Sequence, residues 1–263
     1  MKATRLILRN QVRYFLVKIG LFRFVRNCLY RLRKNDTHHQ LLQFYSKLIG
    51  PGDLVFDVGA NRGQSAEVFS NLGAHIIAFE PQTELHSEIR HVCRPTNHLL
   101  ILPLGLGETE ESRTLFISSF DQTSSLRSDW EGDTVGSSTI SVSTLDRQIA
   151  IHGRPHYCKI DAEGWELQIL RGLSHPIPLI SFEFHSSPSE LPSAKLALDQ
   201  ISTLGAYDCN FREASSAKMA LTDWMPVNDF QRSFPNSLGV DLTEGYGDIF
   251  CRLRSENDRI AFH

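Results

Sequence analysis

Short segments that are apolar through most of their length recur along the chain, separated by stretches whose apolar residues return every three to four positions. LVFDVG (54–59), HIIAFE (75–80), LLILPL (99–104), HYCKID (156–161), LISFEFH (179–185), AYDCNF (206–211) and DIFCRL (248–253) have the length and the β-branched or aromatic content of strands. Helical spacing marks 37–49, 63–72, 83–92, 164–173 and 193–204. Strands apolar on both faces and alternating with helices predict a mostly parallel α/β sheet covered on both sides. The last two strands are joined by a long irregular stretch with no clear crossover helix, which suits an antiparallel pair at one edge. Two stretches break the alternation: 118–138, rich in Ser and Asp, and 212–247, rich in Ser, Asn, Pro and Gly. Long loops of this kind commonly cover a binding site, so Arg127, Trp130, Trp224 and Tyr246 within them are candidates for contact with a bound molecule.

Charge separates the N-terminus from the rest. The 263 residues carry a net charge of −3, yet the first 35 contain ten Lys or Arg and no acid, which leaves 17 basic against 30 acidic residues beyond them. Residues 3–33 mix apolar and basic side chains at helical spacing broken around Gly20. Such a segment suits a basic-faced helix packed on its own domain or on a second copy in a homodimer. It also suits a helix lying on an anionic membrane surface; nucleic acid is the least favoured partner. No uncharged run reaches the length of a secretory core or a membrane span. The five cysteines, Cys28, Cys93, Cys158, Cys209 and Cys251, are scattered without zinc-type spacing, and a reducing cytoplasm fits them best.

FDVGANRGQS (56–65) sets an acid at a strand end, then Gly59 and Gly63 four residues apart, then a helix start. Ligands of a parallel sheet lie outside the carboxyl ends of its strands. Gly59 would let the backbone turn sharply and approach a ligand, and Gly63 would let the helix pack near the sheet. A tight strand–helix turn without a ligand is the plainer reading. The next strand ends in Glu80, placed to accept hydrogen bonds from both hydroxyls of a ribose, or simply to cap the chain ahead of Pro81. Two acids and a glycine turn at one sheet edge point to a nucleoside-bearing cofactor. A dinucleotide needs G-x-G-x-x-G, but Asn61 stands at the second glycine and Asp57 precedes the turn, which suits a cation rather than a phosphate. S-adenosylmethionine has ribose hydroxyls, an ammonium group, a sulfonium and no phosphate, and it meets these requirements.

DVGANRG, AFEP, SSL (124–126), STLD (143–146) and KIDAEGWELQILRG, in that order and spacing, resemble the FkbM family of S-adenosylmethionine-dependent methyltransferases. The resemblance covers about residues 40–253 and implies a Rossmann-like class I methyltransferase fold with a seven-stranded, mostly parallel sheet, an antiparallel edge strand and helices on both faces. It divides the chain into a basic amphipathic helical segment (1–36), a methyltransferase domain (37–255) and a C-terminal tail (256–263). It implies that Asp57, Gly59, Asn61 and Gly63, with Ala60 in the same motif, surround the methionine part of the cofactor. Glu80, followed by Pro81, would hold the ribose, and Leu104 and Gly105 would border the adenine. The activity implied is O-methylation of a carbohydrate, glycan or other small metabolite. An NAD-dependent oxidoreductase of Rossmann type and a non-catalytic cofactor-binding protein are the rival readings.

In such a sheet the strand HYCKID ends beside the first, bringing Asp161 to the edge that holds Asp57 and close to both cofactor and substrate. Glu163 would orient acceptor hydroxyls or help remove a proton, and Glu166 would sit favourably at the start of a helix. LISFEFH adds Glu183 and His185. Imidazole titrates near neutrality, which makes His185 the first choice of base for a hydroxyl proton, ahead of Asp161 and Glu183. The same four groups, Asp161, Glu163, Glu183 and His185, also make an oxygen-rich set with one imidazole that suits Mg²⁺ or Mn²⁺. Trp165 either faces the cleft, where it would stack on a sugar ring, or belongs to the core.

Overall fold

The computed structural model describes residues 37–93, 98–118, 124–130, 134–214, 216–238 and 245–254. The basic segment 1–36, with its expected membrane or dimer contact through 3–33, and the tail 256–263 lie outside the described residues. Residues 37–45 are helical, and the chain divides into two units at Leu41 and Leu42, the second of which holds the sheet.

All seven expected strands form: β1 (Leu54–Val58), β2 (His75–Phe79), β3 (Leu99–Leu102), β7 (Tyr157–Ile160), β8 (Leu179–His185), β9 (Tyr207–Glu213) and β11 (Tyr246–Leu253). With the two-residue β10 (Met225–Pro226) they make one sheet in the order β10-β9-β11-β8-β7-β1-β2-β3. Pairing is parallel from β3 through β8, while β11 runs antiparallel between β8 and β9, and β10 is antiparallel at the edge. The sheet thus has one short strand more than expected. Helices α1 (Gln64–Asn71), α2 (His86–Val92), α4 (Glu166–Arg171) and α5 (Leu191–Leu204) connect strands where helical spacing appears in the sequence. From β1 the chain winds outward through β2 and β3, then returns to β7 on the other side of β1. This reversal opens a crevice at the carboxyl ends of β1 and β7, where α/β sheets bind ligands.

Two parts of the fold differ from expectation. The stretch 118–138 is not one loop: β5 (Glu111–Ser118) and β6 (Thr134–Ser143) pair antiparallel, and with β4 (Gly105–Leu106) they form a second, three-stranded sheet. Residues 134–139 of β6 are all exposed, so no apolar alternation reveals a strand there. Helix α3 (Leu145–His152) follows, started by the Thr144 hydroxyl, which accepts the Arg147 amide. Within 212–247 the structure places β10 and helix α6 (Val227–Ser233), whose Phe230 is fully buried and stacks on Phe234.

The two faces of the sheet are packed differently. One carries Phe56, Phe182, Phe184 and Phe211 into a large apolar core, each ring worth about 1.5–3 kcal/mol when withdrawn from water. The other bears a buried polar ladder. Asp57 of β1 lies in register with Lys159 of β7, Lys159 with Ser181 of β8, Glu183 with Asp248 of β11, and Asp248 with Arg212 of β9. Arg212 and Asp248 form an ion pair, and the Tyr157 hydroxyl lies 2.7 Å from that of Ser181. The ladder ends at the crevice.

Candidate active site

At the end of β1 the chain turns so tightly that the Gly59 and Ala60 amides both donate to the Phe79 carbonyl, at 3.0 and 3.2 Å. Gly59 has φ +78°, and a Cβ there would stand 1.8 Å from the Asp161 carbonyl oxygen. The glycine is therefore required by the approach of the β7 exit as well as by the turn. Gly63, at φ +82°, serves a different contact from the one expected: a Cβ would meet Val92 and Ile89 at 3.0–3.3 Å, so this glycine seats α1 against α2 rather than against the sheet.

Glu80 is 3% exposed, and its two oxygens accept the Asn61 and Gln82 amides, each at 2.8 Å. Its carbonyl is fixed in turn by the His86 ring at 2.7 Å. Burial raises the Glu80 pKa, and the two amides counter it. Each carboxylate oxygen still has a second lone pair.

The β7 exit gathers three more acids. Lys159 Nζ lies 2.6 Å from Asp161 Oδ2, and although burial alone would raise Asp161, the ammonium holds it below the usual carboxylate range. The next residues turn through left-handed backbone at Glu163 (φ 51°) and Gly164 (φ 87°). The Glu163 carbonyl accepts the Ser125 hydroxyl at 2.7 Å, and its Oε2 accepts the Trp130 indole N–H at 3.1 Å. Trp130 packs so close to Gly164 that a Cβ there would lie 2.2 Å from its ring. Burial, with Asp161 beside it, pushes Glu163 up to about 8. Glu166 accepts the Ala162 and Gly164 amides at 2.9 and 3.3 Å and closes the turn, a structural part; burial pushes it up to about 7.

On β8, Glu183 and His185 point to the same side, with His185 Nε2 3.2 Å from Glu183 Oε2. Burial, reinforced by Asp161 and Glu163, holds Glu183 well above the ordinary carboxylate range. His185 is flanked by the Trp130 ring edge-on at 4.8 Å and by Tyr246 at 5.9 Å.

Most of these groups line one cavity of about 870 Å³, within the size range of small-molecule sites. Of the expected cofactor residues, Gly59, Ala60, Asn61, Glu80, Pro81, Gly105 and Asp161 line it. The other expected groups, Glu163, Glu183 and His185, line it as well. Asp57, Gly63 and Leu104 do not reach it. Asp57 is 0% exposed beneath the crevice, neither of its oxygens has a hydrogen-bond partner, and burial pushes it up to about 6 despite Lys159. Leu104 packs against the core.

Sequence reasoning missed the apolar wall that Leu115 and Ile140 of the second sheet supply together with Leu126. Trp165 belongs to both alternatives, being 8% exposed in the core yet forming part of the cavity wall, under the Arg113 guanidinium at 4.5 Å. Among the other aromatic candidates only Tyr246 lines the cavity. Trp224 lies under Arg252 at 4.5 Å, and Arg127 is tied to Glu190 at 2.6 Å and Asp129 at 3.0 Å. As possible metal ligands, Glu163, Glu183 and His185 offer atoms within 4.8 Å of one another; Asp161 is not part of that set.

A parallel sheet reversing at β1 and β7, an antiparallel β11 set between β8 and β9, and an acid-rimmed crevice define a class I methyltransferase fold. The sequence matches the methyltransferase FkbM domain over residues 57–213, more than half of the chain, and the protein belongs to that family. It is a methyltransferase with S-adenosylmethionine as its methyl donor, which displaces the oxidoreductase reading. Solved structures of similar shape include precorrin-6y C5,15-methyltransferase from Geobacter metallireducens GS-15, at 12% identity and a TM-score of 0.43, covering 81% of this chain and 86% of that chain. Cofactor-bound Rv0187 from MTB is similar at 10% identity and a TM-score of 0.43, over 84% of this chain and 80% of that one. No curated protein sequence matches the chain.

Proposed function

We propose that the protein transfers a methyl group to a hydroxyl of a carbohydrate or other small metabolite. One observation carries this reading: proton-accepting side chains from two strand ends, Asp161 and Glu163 after β7 and Glu183 and His185 on β8, share a cavity with the glycine turn and Glu80. The cavity fits the cofactor chemically. Glu80 keeps lone pairs for a ribose diol, the 59–61 turn borders the space for the methionine part, and Leu115, Leu126 and Ile140 offer an apolar wall to an adenine. When bound there, S-adenosylmethionine supplies an electrophilic methyl group on a positively charged sulfur, which acid groups tolerate.

The chain's own work is alignment and removal of the hydroxyl proton. His185 takes that proton at Nδ1, since Glu183 Oε2 already engages Nε2 and fixes the ring. Glu163, held by Trp130 and Ser125, orients the acceptor. Trp130 and Ser125 belong to 124–130, so this part of the loop positions Glu163 rather than touching the acceptor directly. The buried cysteines Cys93, Cys158, Cys209 and Cys251 are free, in keeping with a cytoplasmic enzyme.

The test is calorimetric titration with S-adenosylhomocysteine and with NAD, followed by mass spectrometry of a hydroxylated acceptor panel with labelled S-adenosylmethionine. Binding of the first ligand and a methyl ether product are expected. Failure to bind S-adenosylhomocysteine overturns the reading, and binding without turnover across the panel would favour a non-catalytic binding protein.

A further inference from the structure

Among the described residues, the charged side chains lining the cavity are Glu80, Lys159, Asp161, Glu163 and Glu183, with no arginine. The single ammonium is already committed: Lys159 is 2.6 Å from Asp161, its side chain is 7% exposed, and Asp57 stands in register across from it. A phosphate or carboxylate on the acceptor would enter a space of carboxylates with no free cation to pair with it, at a desolvation cost that nothing offsets.

The acceptor end is more specific than an excess of acid. Glu163, Glu183 and His185 each present an atom within 4.8 Å of the other two, and they come from two separate elements. The backbone of Glu163 is pinned by Ser125 and its carboxylate by Trp130. Two carboxylates so close and so poorly hydrated repel one another unless one is protonated or a cation joins them. Beside them Tyr246, 50% exposed, is stacked on His185 and offers a ring face to a cation or to the C–H face of a sugar.

We propose that the acceptor is a vicinal amino alcohol of the kind found in amino sugars, its ammonium held between Glu163 and Glu183 and its neighbouring hydroxyl presented to His185. The inference rests on reading this cavity as the acceptor site. An ammonium brings a positive charge and several N–H donors to two carboxyl groups whose partners Trp130 and His185 leave further acceptor sites, whereas a neutral polyol brings donors alone. A divalent metal is the competing cation. His185 Nε2 already faces Glu183 Oε2 at 3.2 Å, a contact that metal ligation through that nitrogen would have to break.

The probes are glucosamine, N-acetylglucosamine, glucose 6-phosphate and Mn²⁺, each titrated into EDTA-treated full-length protein saturated with S-adenosylhomocysteine. Glucosamine is expected to bind at least about tenfold more tightly than the other two sugars, the value of one charge-assisted hydrogen bond. That preference should vanish in Glu183→Gln and in Glu163→Gln while S-adenosylhomocysteine affinity stays within about twofold, which also shows that the variants are folded. The proposal is overturned by no measurable glucosamine binding, by equal or tighter binding of the acetylated or phosphorylated sugar, or by a preference that survives both substitutions. Glucosamine binding that requires Mn²⁺ also overturns it, in favour of a metal. Loss of S-adenosylhomocysteine binding by the unsubstituted protein would instead remove the functional reading beneath it.

Discussion

Lys159 and Asp161 lie two residues apart at the exit of β7, joined at 2.6 Å, with Asp57 of β1 in register opposite the lysine. One buried ammonium therefore serves two acids, the half-buried Asp161 and the buried Asp57, and it satisfies only Asp161 by a direct bond. The crevice rests on this imbalance.

Lys159→Met should destabilise the fold by about 1–3 kcal/mol near neutral pH, because it leaves the buried Asp57 without a nearby cation and removes the partner of the partly exposed Asp161. The sign follows from the shifts. Lys159 is raised by its acidic neighbours, so its contribution is complete below the ordinary lysine range and is lost only at more alkaline pH. Asp161 is lowered, so its contribution holds above about pH 4 and is lost as pH falls further. Urea denaturation between pH 5 and pH 9 checks this, and an unchanged midpoint would refute it.

Asp57→Asn is expected to stabilise the protein. Burial raises this carboxyl from 3.8 to about 6, so the native state loses roughly 3 kcal/mol as pH rises through that interval. The variant should flatten the pH dependence of stability between about pH 4 and 6. Because Asp57 does not line the cavity, S-adenosylhomocysteine affinity should change by less than about threefold.

Glu80→Gln should weaken S-adenosylhomocysteine binding by about tenfold or more. The amide keeps one acceptor oxygen where two now each hold a backbone N–H and have a lone pair to spare. Isothermal titration reads the change directly, and unaltered affinity would remove Glu80 from the ribose position.

His185→Ala should lower the rate of methyl transfer by about 10²–10⁴-fold with S-adenosylhomocysteine affinity nearly unchanged. Full activity would eliminate it as the base.

Acceptor kcat/KM should rise with pH through about 8 as Glu163 ionises, since a carboxyl with a raised pKa stays neutral below it. Glu163→Gln should lose that limb of the profile, and a pH profile retained in the variant would count against the assignment.

Much of this site could be read before any coordinates, because strand ends announce themselves. FDVG, FEP and KIDAEG each close an apolar run with an acid, and in a parallel sheet those closures share one edge. The facing of each acid was not legible. Strands buried on both sides show no alternation, so nothing in LVFDV says that Asp57 points into the sheet face while the turn after it points to the cavity. The apolar wall was hidden for the opposite reason. The first six residues of β6 are exposed and small or polar, and their strand exists through pairing with β5 rather than through a buried pattern. Helix α6 was masked by its shortness and by the Pro- and Ser-rich surroundings, although Phe230 and Phe234 at a four-residue interval carried its signal.

The position of β11 bears on how the molecule is made. This strand follows every other strand of the sheet in the sequence, yet among the described residues it alone links β9 to β8, and its Tyr246 pairs with His185. A nascent chain that stops short of it would leave two open edges, free to join other chains. Cofactor-binding elements would be present in such a chain without the acceptor wall, so competence for methylation arrives only once β11 has joined the sheet.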